Sequence, residues 1–343
     1  NIKHGSDSIK GEVIMVKKIM NEPQNIVDEM LEGFVFAHEE IEWFPNYRVV
    51  ALKEKKKGKV GIMSVGGSGH EPAHAGYVGK GMLDAAVAGN LFASPSPDQM
   101  LKAMEEINTG AGVLVVLKNY SGDLMNYSVA KELAQMKGIE VECVVVKDDV
   151  AVPDSTYSTG RRGIAGTIFV HKIAGAKANE GASLQEVKEA AEIANANIRS
   201  IGMSMTACTL PGLDKPGFTV ADDEIEIGMG IHGEPGIQKT KIKKASELAE
   251  IMLAKIIEDY DYSESEIALM INGLGATPLM ELYVFAGCIQ KLLKAKRISA
   301  HKVLVGNYMT SLDMAGCSIT MFKLDKQTKR LLDAPCNTPG LKF

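Results

Sequence analysis

The chain has 343 residues, of which 45% are apolar and 24% are charged. This length exceeds the roughly 250–300 residues that one hydrophobic core organises, so we expect two domains. The ordinary composition argues against a disordered, collagen-like or coiled-coil protein. The formal net charge of −5 provides no positive field for a polyanion, which argues against nucleic acid as a direct partner.

Cysteine usage and hydropathy indicate the cellular compartment. The five cysteines are scattered and form no CxxC pair, which is typical of buried thiols in a reducing cytosol. No apolar run approaches the roughly 18 residues of a membrane span, and no signal peptide is visible. We therefore expect a cytoplasmic protein without membrane association. Residues 1–14 are mostly polar and are interpreted as a tag or a disordered arm.

The periodicity of the first half predicts a parallel sheet covered by helices. Apolar residues recur at helical spacing between Met20 and His38, and the pattern becomes strand-like at Val49 and Val50. Short β-branched runs and helical patterns then alternate at 60–65, 98–107, 113–117, 129–136 and 141–146. Such continuous apolar strands are typical of a parallel sheet that is buried on both faces. Residues 15–200 are therefore predicted to form a first α/β domain.

The second half is richer in Gly/Pro loops and in alternating strands. Ser183 and Glu186 form a capping box that opens a helix, and Glu224–Ile227 follows as a strand. Beyond it we predict a helix, a strand, a helix and two strands, at 245–257, 267–271, 278–294, 303–305 and 318–324. Residues 201–343 are therefore predicted to form a second α/β domain with a mixed sheet.

Two motif matches fail on physical grounds. Residues 70–74 (HEPAH) fit the pattern of zinc proteases, which needs both histidines on one helical face, and Pro72 is incompatible with that helix. Residues 228–233 (GMGIHG) fit the dinucleotide pattern G-x-G-x-x-G, which needs a helix directly after the loop. Residues 234–236 (EPG) predict another turn instead. We therefore expect neither a metal site nor a dinucleotide site in this chain.

Three glycine-rich turns, 66–70, 118–123 and 230–233, each carry a polar side chain. These side chains are those of His70, Asp123 and His232. The first two turns directly follow predicted buried strands, and open α/β sheets bind ligands at the carboxyl ends of their strands. Any one of these residues alone favours a structural role, whereas the three together favour a common ligand site.

Long motifs surround these turns. They are GGSGHEPAHAGY at 66–77, KNYSGD at 118–123, DDVAVPDSTYSTGRR at 148–162 and GIHGEPG at 230–236, with NGLGATPLMELY at 272–283 and YMTSLD at 308–313 in support. Motifs of this length in this order closely resemble those of the substrate-binding K subunit of dihydroxyacetone kinases. The resemblance extends from about residue 15 to the C-terminus.

The resemblance implies roles for the candidate residues. His232 resembles the histidine that attacks the ketone carbon of dihydroxyacetone and holds it as a hemiaminal, and His70 resembles the histidine that orients the substrate. Asp123 is similar to the general base that takes the proton from the substrate hydroxyl. Neutral imidazole has a lone pair for such an attack, and glycerol, which has no carbonyl, would be rejected. Further positions at the substrate by resemblance are Gly67, Ser68, Gly69 and Lys118.

The resemblance also implies partners. The sequence contains no G-x-x-x-x-G-K-[ST] loop and no DGDTG-like run of aspartates. We therefore expect no cofactor on this chain, and Mg-ADP or Mg-ATP on a nucleotide-carrying L-type partner subunit. A homodimer is implied as well. The leading interpretation is thus the dihydroxyacetone-binding subunit of a kinase linked to the phosphotransferase system.

Four residues depart from the usual pattern of the resembled family. They leave an alternative open, a non-catalytic paralogue that binds dihydroxyacetone and acts as a coactivator of a transcription regulator. The four residues are Val65, Asn90, Ala93 and Cys317. Because His70, Asp123 and His232 are all retained, both alternatives predict the same ligand site.

Overall fold

The strands that the structure describes form two six-stranded sheets flanked by helices, which confirms the predicted fold class of two α/β units. The structure is a computed structural model that describes residues 17–153, 160–213 and 215–343. The interpretation of residues 1–14 as a tag or a disordered arm lies outside the described residues.

The first sheet is mainly parallel, as predicted. Its strands are β1 (Ile41–Phe44), β2 (Val49–Leu52), β3 (Gly61–Ser68), β4 (Ala85–Leu91), β5 (Val113–Lys118) and β6 (Val141–Val146), in the order β1-β2-β4-β3-β5-β6. Strands β4, β3, β5 and β6 are parallel, and β2 joins the edge of β4 in the antiparallel direction with β1 beyond it. The first-half helices are α1 (Ile26–Ala37), α2 (Pro97–Ile107) and α3 (Ser121–Met136).

Strand β5 explains why this sheet is apolar on both faces. Val113, Val115 and Leu117 pack against the cluster that contains α2 and α3. Leu114 and Val116, which alternate with them, pack into a second cluster on the opposite face. Since successive side chains of a strand point to opposite faces, only an unbroken apolar run fits between two helical layers.

The second sheet is mixed, as predicted. Its strands are β7 (Ile198–Ser204), β8 (Glu224–Ile227), β9 (Gln238–Lys241), β10 (Glu266–Gly273), β11 (Ser299–Gly306) and β12 (Gly316–Lys323), in the order β11-β10-β12-β7-β8-β9. Only the β10 and β11 pair is parallel. The remaining helices described are α4 (Thr167–Asn179), α5 (Leu184–Ala196), α6 (Ala245–Asp259), α7 (Leu279–Ala295) and α8 (Lys326–Asp333).

Helix α4 lies between the two sheets. All of its residues except Lys177 and Asn179 are buried. One apolar cluster joins this helix to residues of both sheets, such as Ile62 in β3 and Met270 in β10. The outer face of the second sheet is covered by α6 and α7. The two sheets therefore share one core through α4.

Most predicted elements occur near their predicted positions. Strands β6 and β8 have the predicted bounds, and the capping box at Ser183 opens α5. The sequence analysis did not predict β1, β4, β7, β9, α4 or α8. Helix α4 is buried on nearly every side, so no amphipathic period marks it. The predicted boundary near residue 200 falls inside β7, a strand of the second sheet. The division at this residue stays a prediction.

Both rejected motifs lie in the predicted local structure. Residues 70–74 form turns rather than an α-helix, and residues 228–237 connect β8 to β9 with no helix after the glycines. In the part of the chain that the structure describes, none of the helices has the length and apolarity to cross a membrane.

Candidate active site

The candidate residues converge where the two sheets meet. His70 lies in the turn after β3, and Asp123 lies in the first turn of α3, just beyond the end of β5. Strands β3 and β5 are parallel neighbours, so both residues lie at the carboxyl edge of the first sheet. His232 reaches the same place from the loop between β8 and β9 of the second sheet.

The two histidines predicted to act together are in direct contact. The Nε2 atoms of His70 and His232 are 3.0 Å apart, and the rings meet edge to face with their centroids 4.7 Å apart. His70 is fully buried, whereas the His232 side chain keeps 19% of its surface exposed. A ligand that enters from the exposed side therefore meets His232 with His70 behind it.

The outer nitrogen of each ring has an acceptor as its partner. His70 Nδ1 lies 2.7 Å from the carbonyl oxygen of Thr310, and His232 Nδ1 lies 3.0 Å from Glu234 Oε1. Because a carbonyl and a carboxylate only accept, we assign the Nδ1 hydrogen to both rings. With the hydrogen on Nδ1, the Nε2 atoms of the two rings face each other.

The electrostatics of the pair are asymmetric. Burial lowers the pKa of His70 well below 6.5, and the charges of Lys118 and His232 act in the same direction. Burial raises the pKa of the Glu234 carboxyl, but the hydrogen bond from the His232 ring and the charge of that ring outweigh it and lower the pKa to about 2. Near neutral pH, His70 is uncharged and Glu234 is an anion.

Aromatic rings hold the histidine pair in place. Phe92 stacks on His70 at 5.0 Å between centroids and meets His232 edge to face at 5.2 Å. Tyr120 meets the His232 ring edge to face at 4.7 Å. These contacts restrict the ring orientations, so the Nε2 atoms are positioned before any ligand arrives.

Asp123 and Lys118 form a buried pair of opposite charges beside the histidines. They are 3% and 1% exposed, respectively. Burial raises the pKa of Asp123, and the positive charge of Lys118 opposes this rise. Burial likewise lowers the pKa of Lys118, and the carboxylate of Asp123 opposes this fall. Asp123 Oδ1 has no hydrogen-bond partner among the described residues, so this oxygen is available to accept a proton.

The structure gives packing roles to the three predicted substrate residues that end β3 and open its turn. A Cβ atom on Gly67 would lie 2.6 Å from the backbone nitrogen of Ala93. Gly69 has a φ of +103°, and a Cβ there would lie 2.7 Å from Phe92 Cε1. The Ser68 hydroxyl donates to a backbone carbonyl of β4 over 2.8 Å. These contacts hold the segment that carries Phe92 against the site, and contact with substrate stays a prediction for all three.

Two functional partners were missed by the sequence analysis. Glu234 and Thr310 fix the hydrogen on each ring, and neither was assigned a role from the sequence. Both lie within motifs that were identified, at 230–236 and 308–313. The signal available for Glu234 was a carboxylate two residues after a histidine in a tight turn, whereas Thr310 acts through its backbone, which no side-chain pattern reveals.

Fold and site together define an α/β protein of two sheets, with a pair of contacting histidines and a carboxylate at the carboxyl edge of its first sheet. The model of the Dak1 domain matches residues 32–340. The chain belongs to the Dak1 domain family, together with dihydroxyacetone-binding subunits of dihydroxyacetone kinases.

Individual relatives are similar over nearly the whole chain. The dihydroxyacetone-binding subunit of a PTS-dependent dihydroxyacetone kinase from Listeria innocua is 48% identical over 326 residues, covering 94% of this chain and 99% of its own. The solved dihydroxyacetone kinase of C. freundii is 34% identical, with a TM-score of 0.88 over 96% of this chain and 60% of that one. A dihydroxyacetone kinase operon co-activator is 37% identical, with a TM-score of 0.87 over 93% of this chain and 98% of its own.

Proposed function

We propose that this chain is the dihydroxyacetone-binding subunit of a phosphotransferase-linked dihydroxyacetone kinase. The observation that carries the proposal is the contact of 3.0 Å between His70 and His232, with a carboxylate behind the second ring and Asp123 alongside. The relative from Listeria innocua, whose name states this role, supports the choice of ligand. This proposal accounts for both the polar site and the similarity along the whole chain.

His232 is the residue that captures the substrate. With its hydrogen on Nδ1, the ring offers the Nε2 lone pair to the ketone carbon of dihydroxyacetone. The N–C bond forms, the π electrons of the C=O bond move to oxygen, and that oxygen takes a proton from solvent. The ring becomes cationic as the hemiaminal forms. Glu234, which is already an anion, stabilises this charge through its hydrogen bond to Nδ1.

His70 orients the captured substrate. Its Nδ1–H is held by the Thr310 carbonyl, so the Nε2 lone pair faces the place where the substrate binds. A hydroxyl of the substrate donates a hydrogen bond to this lone pair in place of the contact between the two rings. Since the pKa of His70 is lowered, the ring stays neutral and remains an acceptor at physiological pH.

Asp123 is the base for phosphoryl transfer. It accepts the proton of the terminal hydroxyl as that oxygen attacks the phosphoryl group, and the charge of Lys118 favours the ionised form of the carboxyl against the effect of burial. The covalent bond to His232 fixes the hydroxyl in position, which supplies the positional part of catalysis. The Mg-nucleotide is assigned to the L-type partner subunit, which this chain would meet at the exposed side of His232.

One experiment tests the covalent step. Dihydroxyacetone labelled with carbon-13 at the ketone is added to the purified chain, and the labelled carbon is followed by NMR. We expect its resonance to move from the ketone region to the tetrahedral region, and this shift to be lost in His232→Gln. His301→Gln is the matched control, because His301 pairs with Asp333 at the surface. Binding with an unchanged ketone resonance would refute covalent capture.

A second candidate function is a coactivator that binds the same ligand without phosphorylating it. The structural similarity to the operon co-activator, with a TM-score of 0.87, favours this candidate. A coupled assay separates the two functions. The kinase subunit produces dihydroxyacetone phosphate when it is mixed with an L-type subunit and its phosphate donor, whereas the coactivator yields no product and instead binds a transcription regulator. For either function we propose a homodimer, which sedimentation velocity would detect.

A further inference from the structure

Behind the histidine pair lies a second group of buried nitrogens, and the proposed mechanism does not use its two histidines. It consists of His74, His171 and Lys118, here called the inner cluster, with exposures of 6%, 0% and 1%. Four of its atoms have no hydrogen-bond partner among the residues described, namely His74 Nε2, both ring nitrogens of His171, and Lys118 Nζ. Buried polar atoms in native proteins are nearly always paired with protein or with ordered water.

The three side chains come from three elements and face a common space. His74 follows β3, Lys118 ends β5, and His171 belongs to α4. The two histidine rings meet edge to face at 5.2 Å between centroids. A Cβ placed on Gly66 would be 3.3 Å from His74 Nε2 and 3.4 Å from Lys118 Nζ, so the absence of a side chain there leaves these two nitrogens facing each other.

Hydrogen bonding determines which nitrogen of the neutral His74 ring carries the hydrogen. The Ser64 hydroxyl donates to the carbonyl oxygen of Val116 over 2.8 Å, so its oxygen only accepts from His74 Nδ1, which lies 3.3 Å away. The hydrogen of a neutral His74 is therefore on Nδ1, and Nε2 carries a lone pair. Burial, followed by the charge of Lys118, lowers the pKa of His74 well below 6.5, which agrees with a neutral ring.

The Lys118 ammonium group, in contrast to His74 Nε2, requires hydrogen-bond acceptors. It has three hydrogens to donate, and leaving them unpaired in a buried position costs several kcal/mol. A water molecule between Nζ and His74 Nε2 would accept from the first and donate to the second.

We propose that the inner cluster is a buried water-binding site, and that His74 and His171 are positioning residues that hold the Lys118 ammonium beside Asp123 through this water. The role of Lys118 toward Asp123 rests on the proposed function, whereas the water site does not. Neutral imidazoles supply lone pairs without adding positive charge. The cluster thereby solvates the buried Lys118 ammonium, and no acidic side chain is needed at position 66 in addition to Asp123.

The charged and titratable groups around Lys118 determine how a change in the solvation of Lys118 would alter the pKa of Asp123. The charge of Lys118 lowers the pKa of Asp123, of His70 and of His171, whose pKa falls to about 3 mainly because of burial. The groups that act on Lys118 or are acted on by it are Glu71, His70 and His74 after β3, Asp123 in α3, Asp148 after β6, His171 in α4 and Glu234 after β8. Weaker solvation of Lys118 reduces its charge, and Asp123 then becomes harder to ionise.

The first test is a crystal structure of the full chain at a resolution that shows individual waters. We expect an ordered water within hydrogen-bond distance of both Lys118 Nζ and His74 Nε2, with His171 facing it. A direct Lys118–His74 hydrogen bond, or a space without water density, would overturn the proposal. This result does not depend on activity, so it is separate from the success or failure of the proposed kinase function.

The second test compares His74→Leu, His74→Gln and His171→Phe with Tyr77→Phe, a control that changes the other neighbour of the His171 ring. The Gln amide oxygen replaces the Nε2 lone pair and should rescue the pH profile, whereas Leu and Phe do not. We expect the acid limb of turnover to move to higher pH in His74→Leu and His171→Phe, with about a tenfold loss on that limb for a shift of one unit. An equal, pH-independent loss in all four variants would mean that the cluster is merely structural.

Discussion

The two contacting histidines, His70 and His232, come from different sheets. They differ in exposure and in the group that accepts a hydrogen bond from Nδ1 of each ring. His70, from the end of the first sheet, is fully buried and bonded to a neutral backbone carbonyl, that of Thr310. His232, from a hairpin loop of the second sheet, is partly exposed and bonded to the carboxylate of Glu234. Burial favours the neutral form of the His70 ring, although the hydrogen bond to the Thr310 carbonyl opposes this effect. A carboxylate such as that of Glu234 instead stabilises positive charge that develops on the ring it contacts. These surroundings are consistent with the proposed roles, in which the neutral His70 ring accepts a hydrogen bond and the His232 ring gains a positive charge when it forms the adduct.

The largest effect is expected from removing the nucleophile of the second region. His232→Gln keeps a polar side chain of similar reach but loses the Nε2 lone pair that forms the hemiaminal in the proposed mechanism. We expect turnover with the L-type subunit to fall by at least about 10³-fold, in line with the loss of a residue that forms a covalent intermediate. The measurement is steady-state formation of dihydroxyacetone phosphate. If His70→Gln alone produced the larger loss, the roles assigned to the two regions would be reversed.

A somewhat smaller effect is expected at the base. Asp123→Asn cannot accept a proton, so turnover should fall by about 10²–10⁴-fold while the carbon-13 signature of the adduct remains. Single-turnover kinetics and the NMR experiment together separate chemistry from capture. Unchanged turnover would remove Asp123 from the mechanism.

The carboxylate behind His232 should affect capture more than chemistry. In Glu234→Gln the cationic ring of the adduct loses a charged hydrogen bond, which is typically worth about 1.5–3 kcal/mol. We expect the Kd for dihydroxyacetone to rise by roughly 10- to 150-fold, as measured by calorimetry. Glu224→Gln in the neighbouring strand β8 is the matched control and should bind normally. Equal affinities in the two variants would contradict the role given to Glu234.

The smallest effect is expected at His70, and it is measured as a change in the free energy of unfolding. Because the folded-state pKa of His70 is lowered, the unfolded chain binds more protons, and the free energy of unfolding falls as pH drops below about 6.5. Replacing the ring with Gln should reduce this fall between pH 7 and pH 5 by up to about 2 kcal/mol. The raised pKa of Asp123 acts in the opposite direction in both proteins, so the difference between urea titrations isolates the histidine. An unchanged slope would mean that His70 is not buried in the neutral form.

Sequence patterns predicted the elements whose structure follows from the residues of the element itself. The largely apolar run of β6, which Glu142 interrupts, and the alternation of glutamate and isoleucine in β8 predicted the bounds of these strands. Helix α4 was missed, since a helix buried on all sides has no polar face to reveal its period. Strand β4 was missed for the related reason that its small residues (AAVAGNL) give no clear pattern.

The site was predictable to the extent that its residues lie in motifs. His70, Asp123 and His232 were identified, and the direct contact between the two rings follows the expectation of a common site. The hydrogen-bond partners of the two rings, Glu234 and Thr310, were not identified. The position of Thr310 opposite His70 depends on how a loop of the second sheet packs against a turn of the first. The roles of Gly67, Ser68 and Gly69 toward substrate remain predictions.

Helix α4 has a mechanical consequence for how the site works. A hinge motion between the sheets would have to pull this helix away from one of them and expose its apolar side chains to water. The two imidazoles are therefore brought together when the chain folds, rather than by closure around an incoming sugar. Under the proposed function, substrate entry then requires only small displacements of side chains and loops at the rim, which leaves the outer surface free for the proposed nucleotide-carrying partner.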